Sequence, residues 1–264
     1  MAATIPETSG YQAPTPDSAT GGNLPAVDPS APDCWWEPFT QIDSVRVVHV
    51  DLTPHESRET VGSAWLDSAE RSRSDRFQHA PARRHFVLCR AALRSLLCTH
   101  LGYDNARLSF GAADGGKPFA LVDGRPVEVG FNVSHSGRHG LIAVAPAGRV
   151  GVDLEERVPR HDLDRLIEAV FGPDERTDLA AVAGDDRIRL FFRLWTLKEA
   201  VAKALGTGFS VDVSRFEIPQ AIRSGESRGV LRIPQISEAR WQLTAIDDRR
   251  FAAAVAREIG ETIR

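Results

Sequence analysis

Arg149-Val150-Gly151-Val152-Asp153-Leu154-Glu155 lies just past the middle of the chain, and its reading decides the fold. Apolar residues alternate with small and acidic ones, the period-two pattern of a strand with one covered face. On such a strand Asp153 and Glu155 share a side, and Val152 and Leu154 turn the other way. Downstream come helical stretches near 162–170 and 173–182, the second with Pro173 at its first position. A long helix follows from about Asp185 to Leu205, with Asp185 or Asp186 as N-cap and Gly206 just past its end. Strands are expected near 213–218, 229–233, 240–246 and 251–256.

Upstream the order of elements is the same. Val45-Arg46-Val47-Val48-His49-Val50 reads as a strand. A polar helix is expected from about Ser63 to Arg76. A second runs from Pro81 to His100 and stops at Gly102, its apolar positions at helical spacing. Short strands follow around Leu108, Phe119, Phe131 and Leu141. The expected fold is therefore α+β: two similar halves, 44–148 and 149–264, joined near Arg149. The likeness is one of element order, without a residue-level repeat.

Residues 1–43 precede these halves as a Pro-rich tail expected to be disordered. Six of the 16 prolines fall in 1–33, with no periodic apolar pattern to offset the entropy of ordering. That stretch has no Lys or Arg, so it lacks the basic start of a signal or transit peptide. Its four charges, Glu7, Asp17, Asp28 and Asp33, account for the whole net charge of −4, and residues 34–264 sum to zero. A hydrophobic share of 42% and a charged share of 26% are ordinary for a globular protein. No run of apolar residues is long enough for a membrane span. The near-neutral balance argues against a nucleic-acid binder. Cys34, Cys89 and Cys98 have no metal-type spacing and leave one thiol over from any single disulfide, which fits a reduced, cytoplasmic setting.

Five constellations could carry chemistry. Asp153 and Glu155 side by side, flanked by apolar residues, repel each other; a hard cation such as Mg²⁺ would relieve this, though two acids on a half-exposed strand is the plainer reading. Trp195, Glu199 and Lys203 share one stripe of the long helix, either as a plain i,i+4 ion pair or as functional groups. Only Lys117, Lys198 and Lys203 are lysines among 32 basic residues, so two of three on one apolar helix favour a functional reading. Phe131-Asn132-Val133-Ser134-His135-Ser136-Gly137 leaves a strand into a turn able to meet an anion, or is simply a polar turn. A serine-hydrolase role for Ser134 lacks the nucleophile-elbow pattern. Gly115-Gly116-Lys117-Pro118 makes a hairpin turn that can approach a ligand, but its spacing is not that of a P-loop. Seven arginines between 71 and 94 form either a solvated helix face or a surface for phosphate or an acidic partner.

Taken in order, the Lys-Pro turn, Asn-x-Ser-His-Ser, Gly-Val-Asp-x-Glu and Trp-x-x-Lys-Glu-Ala-x-x-Lys-x-x-Gly resemble the 4′-phosphopantetheinyl transferase superfamily of the Sfp type, over about residues 44–257. The resemblance implies a pseudo-dimer of two α+β halves with coenzyme A bound between them. It implies transfer of the phosphopantetheine arm to a serine of an acyl or peptidyl carrier protein domain of a fatty-acid, polyketide or peptide synthase, with release of adenosine 3′,5′-bisphosphate. By the same resemblance Asp153, Glu155 and Glu199 are the Mg²⁺ ligands, with Mn²⁺ a possible substitute. Glu199, Lys203 and Asp153 are the catalytic set, Glu199 as candidate base. Arg73, Gly116, Lys117, Pro118, Asn132, Ser134, His135, Asp153, Lys198 and Lys203 are the expected coenzyme A-binding residues, with Arg83 and Arg84 as less certain aids. A monomer is expected. A Mg²⁺-dependent phosphohydrolase and a non-catalytic coenzyme A-binding protein are the alternatives. The first leaves the Lys-Pro and Ser-His-Ser turns without a role, and the intact acids argue against the second.

Overall fold

The structure is a computed structural model that describes residues 34–113, 115–206 and 212–260. It is a mixed α/β fold. In chain order the elements are β1 (Trp36–Ile42), β2 (Val45–Asp51), α1 (Glu56–Trp65), α2 (Ser68–Ser74), α3 (Ala80–Leu101), β3 (Leu108–Ala112), β4 (Pro118–Val122), β5 (Arg125–Pro126), β6 (Gly130–Ser136) and β7 (His139–Ala145). Then come β8 (Val150–Glu156), α4 (Leu163–Val170), α5 (Pro173–Ala180), α6 (Gly184–Leu205), α7 (Gln220–Arg223), β9 (Arg228–Ile233), β10 (Ser237–Asp247) and β11 (Phe251–Ile259).

Two four-stranded antiparallel sheets have the orders β1-β2-β7-β6 and β8-β11-β10-β9, and β3-β4-β5 form a small third sheet. Near-continuous apolar runs in the central strands, such as Leu141–Ala145 and Phe251–Ala256, give each large sheet two apolar faces. One face of the first sheet packs on α3 through Val48, Val50, Ile142 and Val144 against Leu88, Ala92 and Leu96. One face of the second packs on α6 through Trp241, Leu243, Ala252 and Ala254 against Phe191, Leu197 and Val201. The remaining faces meet each other: Val45, Val47, Leu141 and Ala143 on one side, Val150, Val152, Leu154 and Val255 on the other. The strip read first in the sequence, β8, thus lies at the seam of the molecule.

Four expectations need correction. The tail does not extend to 43: Trp36–Ile42 is β1, paired antiparallel with β2, with a bulge between Pro38 and Thr40. Pro is tolerated there because β1 is an edge strand. Trp35 and Trp36 are buried, and the Trp35 indole donates to the Leu88 carbonyl at 3.0 Å. The expected tail through residue 33 lies outside the described residues. The polar helix is two helices, because Asp67 starts α2 with a capping box to Glu70. The N-cap of α6 is Ala183, and Asp185 and Asp186 sit in its first turn, where carboxylates suit the positive helix end. The strand near 213–218 is instead a 3₁₀ turn, Val213–Arg215, followed by extended chain. Phe216 and Ile218 are buried as a strand would bury them. The carbonyls of Val213 and Phe216, however, accept from Lys198 rather than from a neighbouring strand.

Candidate active site

β6 and β8 are the facing edges of the two large sheets, and side chains join them. The Asn132 side-chain oxygen accepts from the Val152 N–H at 2.9 Å. Two residues on, Ser134 donates to Asp153 Oδ1 at 2.8 Å. Two further on, Ser136 donates to Glu155 Oε2 at 2.7 Å. The shared period of two keeps the register, so Asn-x-Ser-x-Ser on one edge reads directly onto Val-Asp-x-Glu on the other.

Helix α6 crosses β8 at Gly151. A Cβ there would sit 2.0 Å from the Ala200 carbonyl oxygen and 2.5 Å from the Ala204 nitrogen, so only glycine permits this approach. The approach brings one face of α6 over Asp153. Lys203 donates to Asp153 Oδ1 at 2.6 Å and to Ser134 Oγ at 2.7 Å. Glu199, one turn earlier, lies on the same stripe. Asp153, Glu155, Glu199, Lys203 and Ser134 are therefore brought together.

The electrostatics of the cluster are strained in one direction. Burial pushes the Asp153 carboxyl up, against the opposing pull of Lys203 and Ser134. Burial also raises Glu155, with the Asp153 charge adding to it. Glu199 is raised by burial, then by Asp153 and Glu155, while Lys203 opposes. Three carboxylates thus share one ammonium. Asp153 Oδ2 is buried and has no hydrogen-bond partner. This hard-oxygen donor set with an orphaned acceptor fits a divalent cation such as Mg²⁺ in kind. Among the described residues no three His, Cys, Asp or Glu side chains converge on one point in a metal-holding geometry. Asp153 is turned to Lys203 instead.

Other sequence-predicted residues lie elsewhere. Lys198, beside Glu199 in sequence, points into the core, because consecutive helical residues project about 100° apart. Its ammonium meets Glu175 Oε2 at 2.9 Å and the Val213 carbonyl at 2.9 Å, with the Phe216 ring 4.8 Å away. It is not placed to touch a ligand. Asn132 spends its acceptor on β8. Lys117 donates to three backbone carbonyls of the second half. Gly116, at φ +79°, and Pro118 hold the β3–β4 turn, as the hairpin reading required. His135 turns to the opposite face of β6 from Ser134 and lies 5.0 Å from the His85 ring. Burial lowers both imidazoles, aided at His135 by Lys203 and at His85 by the His135 and Arg84 charges. His85 was missed in the sequence; its signal was a lone imidazole on the covered side of an Arg-rich helix.

The arginine field resolves into several jobs. Arg94 is buried and paired with Glu70 and Asp67. Arg90 also reaches Glu70, at 3.4 Å, and Arg71 donates to the Leu66 carbonyl. Arg84 donates to the Leu52 carbonyl at 2.9 Å. Arg83 reaches Asp75 at 3.5 Å and remains half-exposed. Arg73 is exposed, its guanidinium 5.0 Å from the Phe86 ring.

Comparison with known proteins identifies the family. The 4′-phosphopantetheinyl transferase superfamily model matches residues 149–256, and the 4′-phosphopantetheinyl transferase N-terminal model matches 52–147. The 4′-phosphopantetheinyl transferase HetI of Nostoc sp. is 36% identical over 170 residues, 64% of this chain and 71% of that protein. A putative 4′-phosphopantetheinyl transferase of Synechocystis sp. is 40% identical over 147 residues, 56% of this chain and 59% of that protein. The 4′-phosphopantetheinyl transferase Sfp of Bacillus subtilis is 27% identical over 155 residues, 59% of this chain and 66% of that protein. The chain belongs to the 4′-phosphopantetheinyl transferase superfamily.

Proposed function

We propose that this protein moves the 4′-phosphopantetheine arm of coenzyme A onto a serine hydroxyl of an acyl or peptidyl carrier protein domain, releasing adenosine 3′,5′-bisphosphate. The observation that carries the reading is the cluster of Asp153, Glu155 and Glu199, whose carboxyls are all raised around one ammonium at the seam between two sheets. Asp153, Glu155 and Glu199 would hold Mg²⁺, or Mn²⁺ in its place. When bound, the ion supplies neutralisation of charge developing on the pyrophosphate. Lys203 adds a fixed cation beside it, and Ser134 orients Asp153.

Glu199 is the candidate base for the incoming serine hydroxyl. Burial, Asp153 and Glu155 push its carboxyl up, and a bound cation would draw it back down, so holding the ion and taking the proton compete for one carboxylate. His135 and His85, held neutral by burial, would meet a phosphate as N–H donors rather than as cations. Arg73, with Gly116 and Pro118 of the β3–β4 turn, would serve the nucleotide end of coenzyme A. The pseudo-dimer reading, with the ligand between the halves, is supported by the strand orders: β2-β7-β6 packs on the 22-residue α3 as β8-β11-β10 packs on the 22-residue α6. A cytoplasmic monomer is part of this reading; Cys89 and Cys98 form no disulfide among the described residues, which suits a reduced compartment. No helix among the described residues is long and apolar enough to cross a membrane.

The test is mass spectrometry of an apo carrier protein incubated with this protein, coenzyme A and Mg²⁺. A gain of one phosphopantetheine on a serine is expected. Release of inorganic phosphate without a carrier would replace this reading with a phosphohydrolase. Glu199→Gln is expected to lower transfer at least about a hundredfold while coenzyme A still binds.

A further inference from the structure

Lys117 belongs to the β3–β4 turn of the first half, yet its ammonium is committed to the second. Nζ donates to the carbonyls of Val150 at 2.8 Å, Lys203 at 2.9 Å and Ala204 at 3.1 Å. An ammonium has three donors, and all three are used. The Lys203 and Ala204 carbonyls lie in the last turn of α6, where no later helical N–H reaches them. A cation there also meets the negative end of the helix. The stem of Lys117 crosses Gly206, the left-handed residue that ends α6. A Cβ on Gly206 would approach Lys117 Cδ to 2.9 Å.

One residue supplies both ends of the argument. Lys203 offers its backbone carbonyl to Lys117, and its own ammonium to Asp153 Oδ1 and Ser134 Oγ. We propose that Lys117 is a positioning residue: it clamps the last turn of α6 to the first half and thereby holds the Lys203 ammonium on Asp153 and Ser134. A direct contact between Lys117 and coenzyme A would strip donors from three carbonyls, each costly to leave unpaired where buried. The groups facing Lys117 are Arg149, whose charge lowers it, and Glu258, whose charge raises it. Burial is the larger influence, and the amine is brought down to about 8.

The clamp rests on the transferase reading for its catalytic consequence but not for its existence, so two readouts separate them. The first is hydrogen–deuterium exchange of amides 203–206 in the full chain without substrate. Wild-type amides there should exchange as slowly as those of 194–198, and Lys117→Met should speed them about tenfold or more. The second is steady-state transfer with coenzyme A, Mg²⁺ and an apo carrier protein. Lys117→Met should lower kcat about ten- to a hundredfold with the coenzyme A KM within about threefold. Lys117→Gln, which keeps a donor, should recover part of both losses. A raised coenzyme A KM at unchanged kcat would make Lys117 a ligand contact and overturn the clamp. Frayed exchange at 203–206 in the wild type would overturn it too, even if Lys117→Met does not fold. Absence of transfer by a wild type with slow exchange at 203–206 would instead remove the transferase reading alone.

Discussion

Lys198 and Lys203 leave the same helix in different directions and meet opposite environments. Lys203 stays 30% exposed beside an aspartate that is 4% exposed. Lys198 and Glu175 are both fully buried. Glu175 also accepts from the Gly172 and Ile218 amides, so the pair ties α5, α6 and the chain after the 3₁₀ turn together. Removing one partner of such a pair leaves an uncompensated buried charge. Lys198→Met is expected to lower unfolding free energy in urea by about 3–5 kcal/mol. The site carboxyls carry a pH signature of their own. Their folded values are raised above the ordinary 3.8 and 4.5, so the native state holds protons that the unfolded chain has released. Their contribution is complete below the unfolded values and is lost as pH rises through the folded ones. Without divalent cation, the part of the stability due to these groups should fall as pH rises above their ordinary values of 3.8 and 4.5. Asp153→Asn should flatten that slope, and Mg²⁺ should raise the melting temperature at pH 7.5 in the wild type more than in the variant.

Among elements, the contact of α6 with β8 is the most demanding. Both atoms nearest a Gly151 Cβ are backbone, so no rotamer change can relieve them. Gly151→Ala should cost about 1–3 kcal/mol of stability and, by moving Glu199 and Lys203 off Asp153, reduce transfer about a hundredfold. A loss of stability with unchanged turnover would show that α6 can shift without consequence. Much of this was legible beforehand. Alternation in β8 and helical spacing in α3 and α6 named those elements because burial of one face produced the pattern. What escaped was set by partners distant in sequence. β1 was hidden by proline composition, although Trp35, Trp36 and Ile42 carry the burial. The 213–218 segment alternates like a strand, but Lys198 takes its carbonyls. The Asp67–Glu70 capping box was present in the sequence and overlooked. At the site, the Asp153–Glu155 pair on β8 and the Glu199–Lys203 stripe on α6 followed from local periodicity, whereas their meeting depends on how α6 crosses β8. The direction of Lys117 and Lys198 depended on where helix ends and backbone carbonyls from other elements arrive.

For the molecule as a whole, charge is the property most easily misread. The net −4 sits in residues 1–33, and residues 34–264 are neutral. On the proposed transferase reading, attraction of an acidic carrier domain would have to be local. Arg157 is tied to Asp247 at 3.0 Å and Arg160 to Asp162 at 3.1 Å, which leaves the exposed Arg165 as the better test. Arg165→Glu is expected to raise the carrier KM several-fold at low salt, with the difference shrinking as the Debye length falls from about 10 Å at 0.1 M towards 3 Å at 1 M. A change confined to the coenzyme A KM would place the arginine with the cofactor. The joining of β6 to β8 has a further consequence. Each is the outer strand of its own sheet, and the Asn132–Ser134–Ser136 ladder hides one from solvent with the other. An uncovered outer strand is a template for self-association. Cutting the chain between β7 and β8 should yield fragments that aggregate when made singly and stay soluble when made together. The seam that gathers the acids would then also be the molecule's protection against misassembly, and a change that opens the site would expose both strands at once.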